Sequence, residues 1–348
     1  MTLDLATIRQ IDSSDQFADT LALSEHIRDA VWKADSAAVP EIDSRDGVVV
    51  AGMGGSSIGG RLARAMLGDT CSRPLIVARG YGLPSWTTPD ATVLCCSYSG
   101  NTEETLACYE AAAALGSGRV VATSGGRLAE LARADGVPVI PLAGGLQPRA
   151  AVGYVTVAAL EVAARTGTGP SLTSELDVAA DHLGRLVEQW GPNGPDDSLP
   201  KQLARALHGR IPLIAGSGAT DPVAYRWKTQ LNENAKVPAF SHQLPELNHN
   251  ELVGWEGAAE LGRFSAVFIE DVDTHPRIGE RVDLTAAAIE ARGGEVHRVQ
   301  TIGETAAERV FSGVLLGDLV SLYLAVLRGV DPGPVGVIEQ LKADLAGR

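Results

Sequence analysis

The chain has 348 residues, 45 % of them hydrophobic, 5 % aromatic and 39 of them glycine, which is enough for a large buried core and, by length, for two domains. A formal net charge of −14 with no basic block argues against nucleic acid as a partner. No run of about eighteen apolar residues and no basic-then-apolar start is present, so a cytoplasmic protein without a membrane span is expected. Four cysteines, Cys71, Cys95, Cys96 and Cys108, lack C-x-x-C spacing; buried free thiols are expected rather than a metal or redox centre.

In chain order, residues 1 to about 40 read as a helical arm whose Leu21, Leu23, Ile27 and Val31 make a partial apolar stripe suited to a sheet edge. Gly47–Ala51 reads as a buried strand running into the glycine-rich loop Gly52–Gly60, with a helix beginning near Arg61. Further strands are expected near Pro74–Ala78, Ala91–Cys96, Arg119–Thr123 and Val137–Pro141, alternating with helices, one of them Glu103–Leu115. Such alternation predicts a parallel α/β layer. Pro148 to about Arg165 reads as a closing helix, and Gly167–Pro200 as a helix followed by a linker.

The strand Ile211–Ala215, the loop Gly216–Thr220 and the helix Pro222–Lys236 then echo the pattern at 47–66. After them come strands at Phe264–Ile269 and Glu295–Gln300 and helices at Pro276–Ala291, Ala306–Arg328 and Val335–Leu345. The expected fold is α/β: two copies of one unit, each a parallel sheet flanked by helices in flavodoxin-like layers. The expected domains are an arm (1–40), a first domain with an anion cradle (41–166), a helix and linker (167–200), and a second domain with a C-terminal helix (201–348).

The most informative stretch is Ser97-Tyr98-Ser99-Gly100-Asn101-Thr102 between a strand and a helix. Hydroxyls and free backbone amides converge there on a helix N-terminus, the natural seat of a phosphate. Taken alone, the stretch is equally ordinary turn and cap chemistry, with Asn101 or Thr102 as the N-cap. Gly52-Met53-Gly54-Gly55-Ser56-Ser57, of the same design, favours the phosphate reading.

Five segments in one order carry a resemblance: Gly52–Ser56, Ser97–Thr102, Pro148–Ala151, Asn232–Lys236 and Glu246–Glu251, with a sixth at Ile338–Lys342. Together they resemble the double sugar-isomerase (SIS) domain proteins of the bifunctional phosphoglucose/phosphomannose isomerase type. The resemblance implies two SIS-type domains. It also implies reversible conversion of glucose 6-phosphate to fructose 6-phosphate, with mannose 6-phosphate as a second aldose and no metal or organic cofactor.

Such a reaction needs a phosphate anchor, an acid/base for ring opening, a base to carry a proton between C1 and C2, and a cation for the enediolate. The resemblance assigns these to phosphate ligands Gly55, Ser56, Ser97, Ser99 and Thr102, to Glu233 as the C1–C2 base, to His249 for ring opening, and to Arg149 for the enediolate. Lys342 would contact the sugar hydroxyls or phosphate region. In relatives the histidine comes from the neighbouring subunit, which implies a homodimer. Each residue also has a plainer reading: a solvated helix glutamate, a surface histidine, a helix-start arginine, a mobile terminal lysine.

Ser57 and Gln147 depart mildly from the pattern, and Gly333 stands where many relatives carry threonine, which bears on the mannose activity. A dinucleotide fold is disfavoured because Gly52-x-Gly54-x-x-Ser57 misses its third glycine, and no P-loop lysine follows. A sugar-phosphate-binding regulator without catalysis, and an isomerase for another sugar phosphate, remain as alternatives.

Overall fold

A computed structural model describes residues 2–347, and within them the chain builds two wholly parallel sheets. Met1 and Arg348, the ends of the expected arm and of the second expected domain, lie outside the described residues. Helices α1 (Leu5–Ile11), α2 (Gln16–Leu21) and α3 (Leu23–Ser36) open the chain. The first sheet unit runs β1 (Val48–Ala51), α4 (Gly55–Leu67), β2 (Leu75–Ala78), β3 (Thr92–Cys96), α5 (Glu103–Leu115), β4 (Gly118–Thr123), α6 (Gly126–Asp135) and β5 (Val139–Pro141). Three helices follow, α7 (Val152–Arg165), α8 (Thr173–Trp190) and α9 (Leu199–Leu207).

The second unit runs β6 (Ile211–Gly216), α10 (Asp221–Glu233), β7 (Phe240–Gln243), the short α11 (Glu251–Gly254) and α12 (Ala258–Leu261), β8 (Phe264–Glu270), α13 (Pro276–Glu290) and β9 (Glu295–Gln300). Helices α14 (Ala306–Arg328) and α15 (Gly336–Ala346) close it. The sheets have orders β2-β1-β3-β4-β5 and β7-β6-β8-β9, so the second repeats the first one strand short. Strands β1 and β3 are buried at every residue, the condition that makes a central parallel strand a continuous apolar run.

One core joins the two sheets: Val50 and Leu94 of the first, Ile214 and Val267 of the second, and Val155, Ala224, Val314 and Leu319 from the helices between belong to the same buried cluster. Its axis is α14. The helix starts at a reciprocal capping box in which Thr305 Oγ1 accepts the Glu308 amide at 3.2 Å and Glu308 Oε2 accepts the Thr305 amide at 2.8 Å. It stops at Gly329 in the left-handed region, φ +66°. By length and composition α14 is apolar enough to cross a membrane, but 94 % of its most apolar window is buried among the protein's own elements. The absence of an eighteen-residue apolar run was therefore a narrow miss, broken by Asp318 and a few small polar residues.

Several expectations need correction. Helix α4 starts at Gly55, not near Arg61. Gly59 and Gly60 lie within this helix, and both are glycine for close packing: a Cβ on Gly59 would lie 2.5 Å from the Val155 carbonyl carbon and one on Gly60 2.9 Å from Val50 Cβ. Helix α7 starts at Val152, so Pro148 and Arg149 belong to a preceding turn. Helix α3 packs chiefly on α7 and α8 rather than on a sheet edge. Strand β7 and helix α9 were not expected, and the four cysteines are free, three of them buried.

Candidate active site

The two glycine-rich turns meet because they follow adjacent strands: β1 pairs with β3, Ala51 opposite Cys95. Ser56 Oγ accepts the amide of Tyr98 at 3.1 Å and ties one turn to the other. In the second turn Ser97 Oγ lies 2.8 Å from Thr102 Oγ1 and accepts the Gly100 amide at 3.1 Å. Ser99 Oγ, at the exposed rim, accepts the Asn101 amide at 3.2 Å. Gly100 must be glycine: its φ is +70°, and a Cβ there would stand 1.8 Å from the Gly125 carbonyl oxygen.

Thr102 is the N-cap of α5, yet its side chain caps nothing in the helix. In the first turn Thr105 Oγ1 is buried and has no hydrogen-bond partner. Open amides and an unpaired hydroxyl at one helix start form a neutral anion site. Thr105 lies just past the Ser97–Thr102 stretch, inside the expected helix Glu103–Leu115, and received no site role from sequence.

The same cradle touches the turn that carries Arg149. A Cβ on Gly55 would lie 2.9 Å from the Pro148 carbonyl oxygen and 3.4 Å from Arg149 Cα, an approach only glycine permits. Arg149 is 5 % exposed. Its Nε donates to Asn234 Oδ1 at 2.7 Å, and its Nη2 donates to the carbonyls of Pro332 and Gly333, each at 2.8 Å. Nη1 has only Gln147 Oε1 at 3.4 Å and Glu233 Oε2 at 3.7 Å. Of the five donors of a guanidinium, those on Nη1 are therefore the ones left for a guest.

Burial pulls the Arg149 pKa below its ordinary value, opposed by the nearby Glu233 carboxylate; the group remains a cation. Glu233 is the last residue of α10, with its side chain 30 % exposed. Lys236, in the left-handed region at φ +55°, donates from Nζ to the Glu233 carbonyl at 2.5 Å and to the Pro332 carbonyl at 3.0 Å. A cation thus caps the helix end on which the carboxylate stands. Neither Asn234 nor Lys236 received a role from sequence, although both sit in the Asn232–Lys236 segment.

The plainer reading of Arg149 as a helix-start arginine is replaced by an arginine in the turn before α7, held by two carbonyls and an amide oxygen. At Gly333 the absent side chain is not an empty space: a Cβ would meet Ser14 Oγ at 2.0 Å. The arm supplies a hydroxyl at that position.

Ser56, Ser97, Ser99, Thr102, Arg149 and Glu233 thus share one continuous region. His249 and Lys342 do not join it within the chain. His249 ends a short turn, Glu246–His249, after β7; it is exposed and shares no hydrogen bond or ion pair with Glu233, Arg149 or the cradle among the described residues. Lys342 is exposed on α15, whose Val337 and Leu341 are 88 % and 59 % exposed.

The echoing loop of the second unit is closed by its own groups. Thr220 Oγ1 accepts the Ser217 amide at 2.9 Å and donates to the Ile269 carbonyl at 2.8 Å. Carboxylates crowd its mouth: Asp221 pairs with Arg61 at 2.9 Å and Asp271 with Arg309 at 3.1 Å. A cleft of about 900 Å³ opens there, lined by four arginines and four aspartates, so its formal charges balance.

Comparison with known proteins agrees with this geometry. Residues 196–345 match the family described as bacterial phospho-glucose isomerase C-terminal SIS domain. The bifunctional phosphoglucose/phosphomannose isomerase of Caldicellulosiruptor bescii is 42 % identical over 304 residues, 86 % of this chain and 90 % of that one. The chain belongs to the bifunctional phosphoglucose/phosphomannose isomerase family. The relative of the same name from Aquifex aeolicus is 35 % identical over 86 % of this chain and 90 % of its own. The fold is that of a glucose-6-phosphate isomerase-like protein of Thermus thermophilus, with a TM-score of 0.64 at 20 % identity over 98 % of both chains.

Proposed function

We propose that this chain is an aldose–ketose isomerase that interconverts fructose 6-phosphate with glucose 6-phosphate and mannose 6-phosphate through a cis-enediolate. One observation carries the reading: a buried arginine whose Nη1 has only a 3.4 Å bond to an amide oxygen stands 3.7 Å from a partly exposed carboxylate, Glu233, beside an uncharged cradle for phosphate. A family relative 42 % identical bears that activity in its name.

In this reading Gly55, Ser56, Ser97, Ser99 and Thr102 hold the phosphate through hydroxyls and amides, so an acidic protein accepts an acidic substrate without a cationic patch. Glu233 removes the proton from C2 of the aldose and returns it to C1. Because C2 becomes planar in the enediolate, one base serves both aldoses. Arg149 Nη1 donates to the enediolate oxygen as its negative charge develops, where a fixed cation in a dry site lowers the barrier by about 3 kcal/mol.

The ring is opened by His249 of a second copy of the chain. Its exposure, away from the Glu233 of its own chain, supports a homodimer in which it is donated across the interface; a cytoplasmic location belongs to the same reading. The phosphate would then sit in the first domain, 41–166, and the base would come from the second, 201–348.

The test uses purified protein and fructose 6-phosphate with a chelator present, following glucose 6-phosphate and mannose 6-phosphate separately. Both should form, and Glu233→Gln should abolish both together. Loss of one alone would mean two bases, and formation of neither aldose would reject the substrate class.

A further inference from the structure

Two buried cations meet beneath the site, Arg149 at 5 % exposure and Arg226 at 2 %, the Arg226 guanidinium reaching the Arg149 backbone. Their repulsion is strong where water is excluded. Asp318, the sole charged residue between Arg309 and Arg328, answers it. Arg226 grips that carboxylate as a fork, Nε to Oδ1 at 3.0 Å and Nη2 to Oδ2 at 2.6 Å. The same Nη2 donates to the Arg149 carbonyl at 2.9 Å.

The circuit continues through neutral groups. Ser321 Oγ donates to the Asp318 carbonyl at 2.6 Å and accepts from Asn234 Nδ2 at 2.9 Å. Asn234 Oδ1 accepts from Arg149 Nε at 2.7 Å. Five buried residues close a ring that binds the turn before α7 to the end of α10 and the middle of α14.

The ring sorts the charges. Asp318 is spent on Arg226, so every acceptor within hydrogen-bond distance of Arg149 is neutral, and its cationic edge stays open toward Glu233. We propose that Asp318, acting through Arg226 and Ser321, is a positioning residue for isomerisation: it fixes the Arg149 guanidinium beside Glu233 and sets the charge balance under that base. The inference rests on the reading of Glu233 as the base and Arg149 as the enediolate stabiliser.

The other charged groups facing this pair are Lys236 from the turn after α10, Asp331 from the turn before α15, and Asp12 and Asp19 from the arm. An Asp318→Asn variant leaves all of them in place and removes one buried negative charge. The loosened guanidinium should lower kcat by about tenfold or more. KM for fructose 6-phosphate should stay within about twofold, because the phosphate cradle is untouched.

Ser321→Ala cuts the ring without changing charge, so kcat should fall while KM stays in place. Circular dichroism and the thermal midpoint establish that each variant is folded. A folded Asp318→Asn enzyme with wild-type kcat, or with KM raised in step with the loss of kcat, overturns the proposal. So does a Ser321→Ala enzyme with wild-type kcat, whether or not the first variant folds. Glu233→Gln separates the two readings: if it stays active, the base assignment fails; if it is dead while both ring variants behave as wild type, only the ring inference fails.

Discussion

Arg149 Nη1 stands 3.7 Å from Glu233 Oε2, near enough to feel the charge and too far for a hydrogen bond. A tighter pair would lock the carboxylate and consume the cation; at this spacing neither group holds the other. Arg149→Lys keeps a charge but loses the fork that reaches Asn234 and the carbonyls of Pro332 and Gly333 together. Steady-state kinetics should show kcat lower by about a hundredfold with KM little changed.

Gly100→Ala should damage the cradle itself. A methyl group would collide with the Gly125 carbonyl oxygen at 1.8 Å from a backbone already at φ +70°. A loss of about 2–4 kcal/mol is expected from the urea midpoint. Inorganic phosphate should protect this variant against unfolding less than it protects the wild type.

If His249 serves the partner's site, two dead enzymes should rescue one another. In a mixed dimer of Glu233→Gln and His249→Ala chains, one site holds both defects and the other holds none. Co-refolding equal amounts should restore about a quarter of wild-type activity for a two-fold dimer. Return of no activity would place His249 in its own chain's site or outside the reaction.

Burial depresses the pKa of His26 and of His297, the latter opposed by Glu295. The unfolded chain therefore binds protons more readily at these positions than the folded one. Their contribution to stability is full above the unfolded value of about 6.5 and is lost as pH falls through the folded values. Denaturant midpoints between pH 7 and 5 should drop less in a His26→Gln/His297→Gln variant than in the wild type. An equal drop in both would assign the loss to other groups.

Much of the architecture is written in short-range patterns. The alternation of buried strands with helices, repeated at 47–66 and 211–236, predicts two parallel units, and the capping box at Thr305 and Glu308 together with Gly329 gives α14 the expected bounds. Strand β7 escaped because Phe240–Gln243 is four half-exposed residues without a period; it exists because it pairs with β6, Leu213 opposite Phe240. The start of α4 escaped because Gly59 and Gly60 read as loop residues until Val155 and Val50 press against them.

By itself the sequence determined the strand, turn and helix around Ser97–Thr102, since the hydroxyls and Gly100 of that turn act within five residues of one another. Tertiary structure alone decided which glycine loop stays open, what holds Arg149, and that His249 stands apart from Glu233. The physical reason is range: caps and turns are satisfied by near neighbours along the chain. The partners of Arg149 lie 85, 183 and 184 residues away, and only the packing of α14 between the two sheets brings them together.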